Sequence, residues 1–175
     1  MNKIIDQTFK VAIYLRLSKE DDDLSCSSGA KSESNSISNQ RKLIYDFMKS
    51  HPELELYDEY KDDGKSGSNF DRAEFQRMMK DIEAGKVNCV IVKDQSRFGR
   101  DYIDVGKYKE KIFPKLGVRF ITINEGYDSL SATSSDDLAF TINSFVYDFY
   151  IRDISTKIRT NLTAKKQYGS FICST

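Results

Sequence analysis

The sequence predicts one α/β domain built on a mostly parallel sheet. Short apolar runs alternate with helical patterns between residues 11 and 123, and the later runs are rich in β-branched residues and poor in charge. A chain of 175 residues is also the size of one domain with a core of its own.

The first run, residues 11–17 (VAIYLRL), is a predicted strand whose alternation places Tyr14, Arg16 and Ser18 on one side. Residues 19–35 (KEDDDLSCSSGAKSESN) contain one large apolar residue, Leu24, and are expected to form a mobile loop. A helix over 37–50 brings Ile37, Leu43, Ile44, Phe47 and Met48 near one stripe, and a strand follows over 54–60 (LELYDEY). The helix expected over 71–84 is held by Phe75, Met78, Met79 and Ile82, with Gly85 closing it. Strands over 87–93 (VNCVIVK) and 118–123 (VRFITI) read as buried on both faces. Between them a helix over 101–113 ends before Pro114.

Residues 136–168 contain no Gly or Pro, and apolar residues recur from Leu138 through Ile142, Phe145, Val146, Phe149, Ile154 and Ile158 to Leu162. Ser134 or Ser135 offers an N-cap. Asp136 and Asp137 suit the positive end of the helix dipole, and Lys165 and Lys166 the negative end. One continuous helix would reach about 45 Å, more than a body of this size covers. The pattern therefore fits either two helices with a bend or one helix that leaves the body to meet a partner.

Composition narrows the chemistry. Three cysteines, Cys26, Cys89 and Cys173, form no CxxC pair, and with the single His51 they do not supply a structural zinc set. No metal and no cofactor are expected, and no run approaches the roughly 18 apolar residues of a membrane span. Lysines and arginines balance aspartates and glutamates at 27 each, but the charges are segregated. Residues 91–120 carry eight basic and four acidic groups, 121–150 carry none and five, and 151–175 carry five and one. Such cationic stretches are solvated faces or phosphate-contacting surfaces.

In open α/β sheets ligands bind beyond the carboxyl ends of the strands. That edge would gather Tyr14, Arg16 and Ser18 from the first strand, the Asp63–Gly67 turn with Asp71 and Arg72 from the second, and Ser96, Arg97 and Arg100 from the third. One serine among four guanidinium forks suits a phosphate and the charge of a phosphoryl transition state.

These pieces, Tyr14-x-Arg16-x-Ser18, Ser36-Ile37-Ser38-Asn39-Gln40, Asp63-x-x-Ser66-Gly67 with Asp71-Arg72, and Ser96-Arg97-x-x-Arg100-Asp101, resemble the serine recombinases. The likeness is greatest to the large serine recombinases and transposases of mobile elements. It implies a resolvase-type (flavodoxin-like) sheet and an enzyme that cleaves and rejoins DNA through a 5′-phosphoserine intermediate, without metal or ATP. Ser18 would be the nucleophile, and Arg16, Arg72, Arg97 and Arg100 would bind the scissile phosphate. Tyr14, Gln40, Asp63, Ser66 and Asp71 would support the site. The implied partners are double-stranded DNA sites and further copies of the chain, as dimer and tetramer. Residues 1–135 would be the catalytic core and 136–168 the long helix, with Arg152, Lys157, Arg159, Lys165 and Lys166 approaching DNA. Residues 169–175 would be a truncated tail of an isolated catalytic domain. The implied setting is the bacterial cytoplasm, at the nucleoid.

Small resolvases commonly have Asp immediately before the first arginine of the third motif, where this chain has Ser96; Asp94 would point elsewhere on a regular strand. The competing reading is a non-catalytic flavodoxin-like module for assembly or regulation, which would tolerate substitution of Ser18 and Arg97. A nucleotide-binding reading finds neither GxxxxGK[ST] nor GxGxxG.

Overall fold

The computed structural model describes residues 8–17, 35–62, 72–99 and 101–167. The 19–35 loop, all but its last residue, and the 169–175 tail lie outside the described residues. Five strands, β1 (Phe9–Arg16), β2 (Leu54–Asp62), β3 (Cys89–Val92), β4 (Arg119–Thr122) and β5 (Tyr127–Asp128), form one sheet in the order β2-β1-β3-β4-β5. The first four pair in parallel and β5 is antiparallel to β4. β5 is absent from the sequence reading because two residues have no periodicity to detect.

Strand alternation sorts the core into two layers. Val11, Ile13 and Leu15 join Ile37 and Ile44 of α1 (Asn35–Lys49) on one face. Ala12 and Tyr14 face the opposite layer, with Phe75 and Met78 of α2 (Ala73–Glu83) and with Phe98, Phe113, Phe120 and Phe140. Every residue of β3 and β4 is buried, as expected of central parallel strands.

Outer strand β2 is guarded at its middle. Its register with β1 slips between Val11 and Ala12, which leaves Tyr57 as a bulge. Arg77 donates to the Glu59 carbonyl at 3.0 Å and pairs with Asp58 at 2.5 Å. Arg41 pairs with the Glu59 carboxylate at 2.8 Å.

Four helical pieces follow: α3 (Gln95–Phe98), α4 (Tyr102–Lys107), a π turn (Tyr108–Ile112) and α5 (Phe113–Leu116). The sequence expectation that this helix ends before Pro114 is not met. Pro114 occupies the first turn of α5, where a missing N–H leaves no bond unmade, and Gly117 at φ +66° ends the run. The π turn buries Lys109, whose Nζ lies 2.8 Å from Asp137 Oδ1 and about 5 Å from the Tyr127 and Phe140 ring centres.

Asp137 belongs to α6 (Ser134–Gln167), an unbroken helix of 34 residues and roughly 50 Å. The bent alternative is therefore not the observed one. Its N-cap is Thr133 rather than Ser134 or Ser135. Thr133 Oγ1 accepts from the Asp136 N–H at 3.3 Å, and Asp136 Oδ2 accepts from the Thr133 N–H at 2.8 Å, a reciprocal capping box. Among the described side chains of α6, only Phe140 and Ser144 are buried. Leu138, Ile142, Phe145, Val146 and Phe149 are exposed, and at about 100° per residue they lie on the side facing away from Phe140 and Ser144. No helix among the described residues is long and apolar enough to cross a membrane.

Candidate active site

The carboxyl edge of the sheet is organised around the backbone of α3. Arg16, the last residue of β1, donates from Nε to the Arg97 carbonyl at 3.0 Å and from Nη2 to the Ser96 carbonyl in a short bond. Arg97 returns a bond from Nη1 to the Arg16 carbonyl at 3.4 Å. Arg72, immediately before α2, reaches the Phe98 carbonyl at 3.5 Å. Three successive carbonyls at the negative end of a short helix thus hold two buried guanidinium groups.

Beside them Tyr14 ties the arginines to β2. Its hydroxyl donates to Asp62 Oδ2 at 2.8 Å and accepts from Arg72 Nη1 at 2.9 Å. Burial raises the phenol pKa above its ordinary value; Arg72 opposes that and Asp62 reinforces it, so the hydroxyl stays a donor. Asp62 also accepts from the N–H groups of Glu74 and Phe75 at 3.2 and 3.0 Å, capping α2. On the other face of the sheet, buried Gln40 clasps the Arg16 backbone. Its Nε2 donates to the Arg16 carbonyl at 3.1 Å and its Oε1 accepts the Arg16 N–H at 3.4 Å.

Asp94 departs from the sequence reading, which pointed it away. The strand ends at Val92 and Asp94 becomes the N-cap of α3. Its Oδ1 accepts from the Arg97 N–H at 3.1 Å and from the Ser96 hydroxyl at 2.5 Å, and Oδ2 lies 3.9 Å from Arg97 Nε. The neighbouring Glu125 carboxyl accepts the Gln95 N–H at 3.3 Å, and burial, with Asp94 nearby, raises its pKa.

Of the residues singled out from sequence, Tyr14, Arg16, Gln40, Arg72 and Arg97 are brought together here. Ser18, Asp63, Ser66, Asp71 and Arg100 lie outside the described residues, as do the side chains of Arg152, Arg159, Lys165 and Lys166. Lys157 lies far along α6, paired with Asp153 at 2.7 Å. Sequence reasoning misplaced Asp94 and missed Asp62 and Gln95. Of the two missed, only Asp62 left a signal: it keeps step with Tyr60 on the β2 face that meets Tyr14. Among the described residues no group of three or more His, Cys, Asp or Glu side chains is placed to hold a metal ion.

The family model for the resolvase N-terminal domain matches residues 11–170. The chain belongs to the resolvase family. Among solved structures, the N-terminal catalytic domain of TP901-1 integrase is 27% identical with a TM-score of 0.60, over 82% of this chain and 97% of that one. A resolvase family site-specific recombinase from Streptococcus pneumoniae is 27% identical with a TM-score of 0.56, over 91% and 99%. The C-terminal catalytic domain of ISC1926 TnpA, an IS607-like serine recombinase, is 20% identical with a TM-score of 0.50, over 91% and 99%, a likeness of fold alone. No curated protein sequence matches the chain. The parallel sheet with flanking helices is thus a resolvase-type α/β fold, and the edge carrying Arg16, Arg72 and Arg97 is the candidate active site of a resolvase-family catalytic domain.

Proposed function

We propose that this chain cleaves and rejoins DNA at paired recombination sites, with Ser18 as nucleophile and a 5′-phosphoserine intermediate. The observation that carries the reading is the meeting of Arg16, Arg72 and Arg97 around α3, with Ser18 two residues beyond Arg16 in sequence. A serine hydroxyl is a weak nucleophile, and no histidine neighbours Ser18 in sequence. Fixed guanidinium groups stabilise both the developing alkoxide and the charge spread over the transferring phosphoryl oxygens. Attack by Ser18 Oγ forms the P–O bond to serine and breaks the bond to the 3′ oxygen, which leaves as a hydroxyl. Because the phosphoseryl ester keeps the phosphodiester's energy, reversal reseals DNA without ATP, and the arginines take the place a metal ion holds in other phosphoryl transfers. Arg100, from the same motif as Arg97, has the same role in this reading, and Asp63, Ser66 and Asp71 have a supporting one alongside Tyr14 and Gln40.

The partners are double-stranded DNA and other copies of the chain. The outward stripe of α6, Leu138, Ile142, Phe145, Val146 and Phe149, suits a second copy. Arg152, Lys157, Arg159, Lys165 and Lys166 give the distal half a salt-dependent grip on phosphates.

The test incubates the protein with DNA carrying its recombination sites and traps protein–DNA adducts on a denaturing gel. The adduct should map to Ser18, vanish in Ser18→Ala, and fall at least about 100-fold in Arg97→Ala, the scale of losing one charge-stabilising donor. Strand cleavage by Ser18→Ala overturns the proposal.

A further inference from the structure

Gln95 and Ser144 join the arginine site to the long helix. Ser144 Oγ donates to Gln95 Oε1 in a short bond and lies 3.0 Å from the Phe140 carbonyl of its own helix. Gln95 is 3% and Ser144 9% exposed, so the bond is largely shielded from water. Gln95 opens α3, and the next two residues, Ser96 and Arg97, give Arg16 the carbonyls that hold its guanidinium. One turn of helix therefore has Ser144 bonded at its start and Arg16 at its carbonyl end. Ser144 is also the last buried residue along α6 among the described side chains, so the bond sits where the helix leaves the body.

We propose that Ser144 is a positioning residue for the arginine site: through Gln95, the placement of Arg16 and Arg97 depends on how α6 is seated. The functional meaning of this coupling rests on the recombinase reading above; its physical content does not. Gln95 N–H also bonds Glu125 Oε1 at 3.3 Å, so a shift of Ser144 acts on the residue that opens α3, next to the carbonyls that hold Arg16.

Hydrogen exchange at the Arg16 Nε–H, followed by NMR on this chain with isotope-labelled arginine, reads the coupling directly, since that proton donates to the Arg97 carbonyl. Ser144→Ala should speed its exchange roughly five-fold or more, the factor expected for one lost hydrogen bond. Gln95→Met, which keeps the bulk and removes the amide, should do the same. Ser144→Thr keeps the hydroxyl and should restore protection. Asn143→Ala, at an exposed position of the same helix outside the apolar stripe, should leave the exchange unchanged. Wild-type exchange in a folded Ser144→Ala or Gln95→Met chain overturns the proposal, as does equal acceleration by Asn143→Ala. Should Ser144→Ala fail to fold, Gln95→Met decides alone. No DNA enters the measurement, so failure of the phosphoserine reading and failure of this coupling are separate results.

Discussion

The two stretches of α6 use one helix in opposite ways. The root, residues 134–144, faces the body with Asp137, Phe140 and Ser144: an ion pair to Lys109, a ring against Tyr127 and Phe120, and a hydroxyl on Gln95. From residue 145 onward the apolar stripe carries Phe145, Val146 and Phe149 into solvent on the far side. The teaching is that amphipathicity names a face without naming its partner. The residues with the clearest helical spacing are those the body leaves uncovered, and one phenylalanine with two polar groups fixes the helix.

The sharpest way to break this contrast is Phe140→Ala. Removing a ring buried among Phe120, Tyr127 and the Lys109 stem should cost about 3–5 kcal/mol in urea denaturation. A loss below about 1 kcal/mol would mean the root is not held as described.

Lys109→Met should cost less, about 1–2 kcal/mol, because Asp137 is half-exposed and water rehydrates it. Lys109 holds the Asp137 pKa below the usual carboxylate range, aided by the Tyr127 hydroxyl. A lowered folded-state pKa contributes stability above the unfolded-state value and loses it as pH falls through the folded-state value. Wild-type and Lys109→Met stabilities should therefore differ at neutral pH and converge on acidification, as denaturation at a series of pH values would show.

Phe149→Ser should change folding stability by less than about 0.5 kcal/mol, since its side chain is 65% exposed. Its effect belongs to association. Sedimentation should show self-association weakened by about ten-fold or more if the stripe meets a second copy, as about 1.4 kcal/mol of lost apolar contact would give. Unchanged association would remove the distal stripe from any interface.

Much of the fold was legible because it rests on period. The alternation of residues 11–17 placed Tyr14 and Arg16 on one side, and the charge-poor runs that became β3 and β4 are central strands. The α6 span was legible from its unbroken run without Gly or Pro. What escaped had no period to show. α3 is four residues long, so neither its existence nor the turning of Asp94 into its cap could be read. Asp63 drew notice through its motif, whereas the described partner of Tyr14 is Asp62, one residue earlier, because β2 runs two residues past its predicted end. Pro114 misled because proline stops a helix in its interior yet is welcome at its first turn, and the π turn before it lets a new start occur inside one rod. The arginines were visible as residue types; that backbone carbonyls rather than carboxylates hold Arg16 was not, since carbonyls are the same in every sequence.

The bulge at Tyr57 and the Arg77 hydrogen bond onto the Glu59 carbonyl have a consequence for how copies meet. A neighbour's extended segment approaching that rim finds its hydrogen-bonding comb out of step at one point and occupied at another, with acidic groups on either side. Ribbon-to-ribbon growth is disfavoured along that rim.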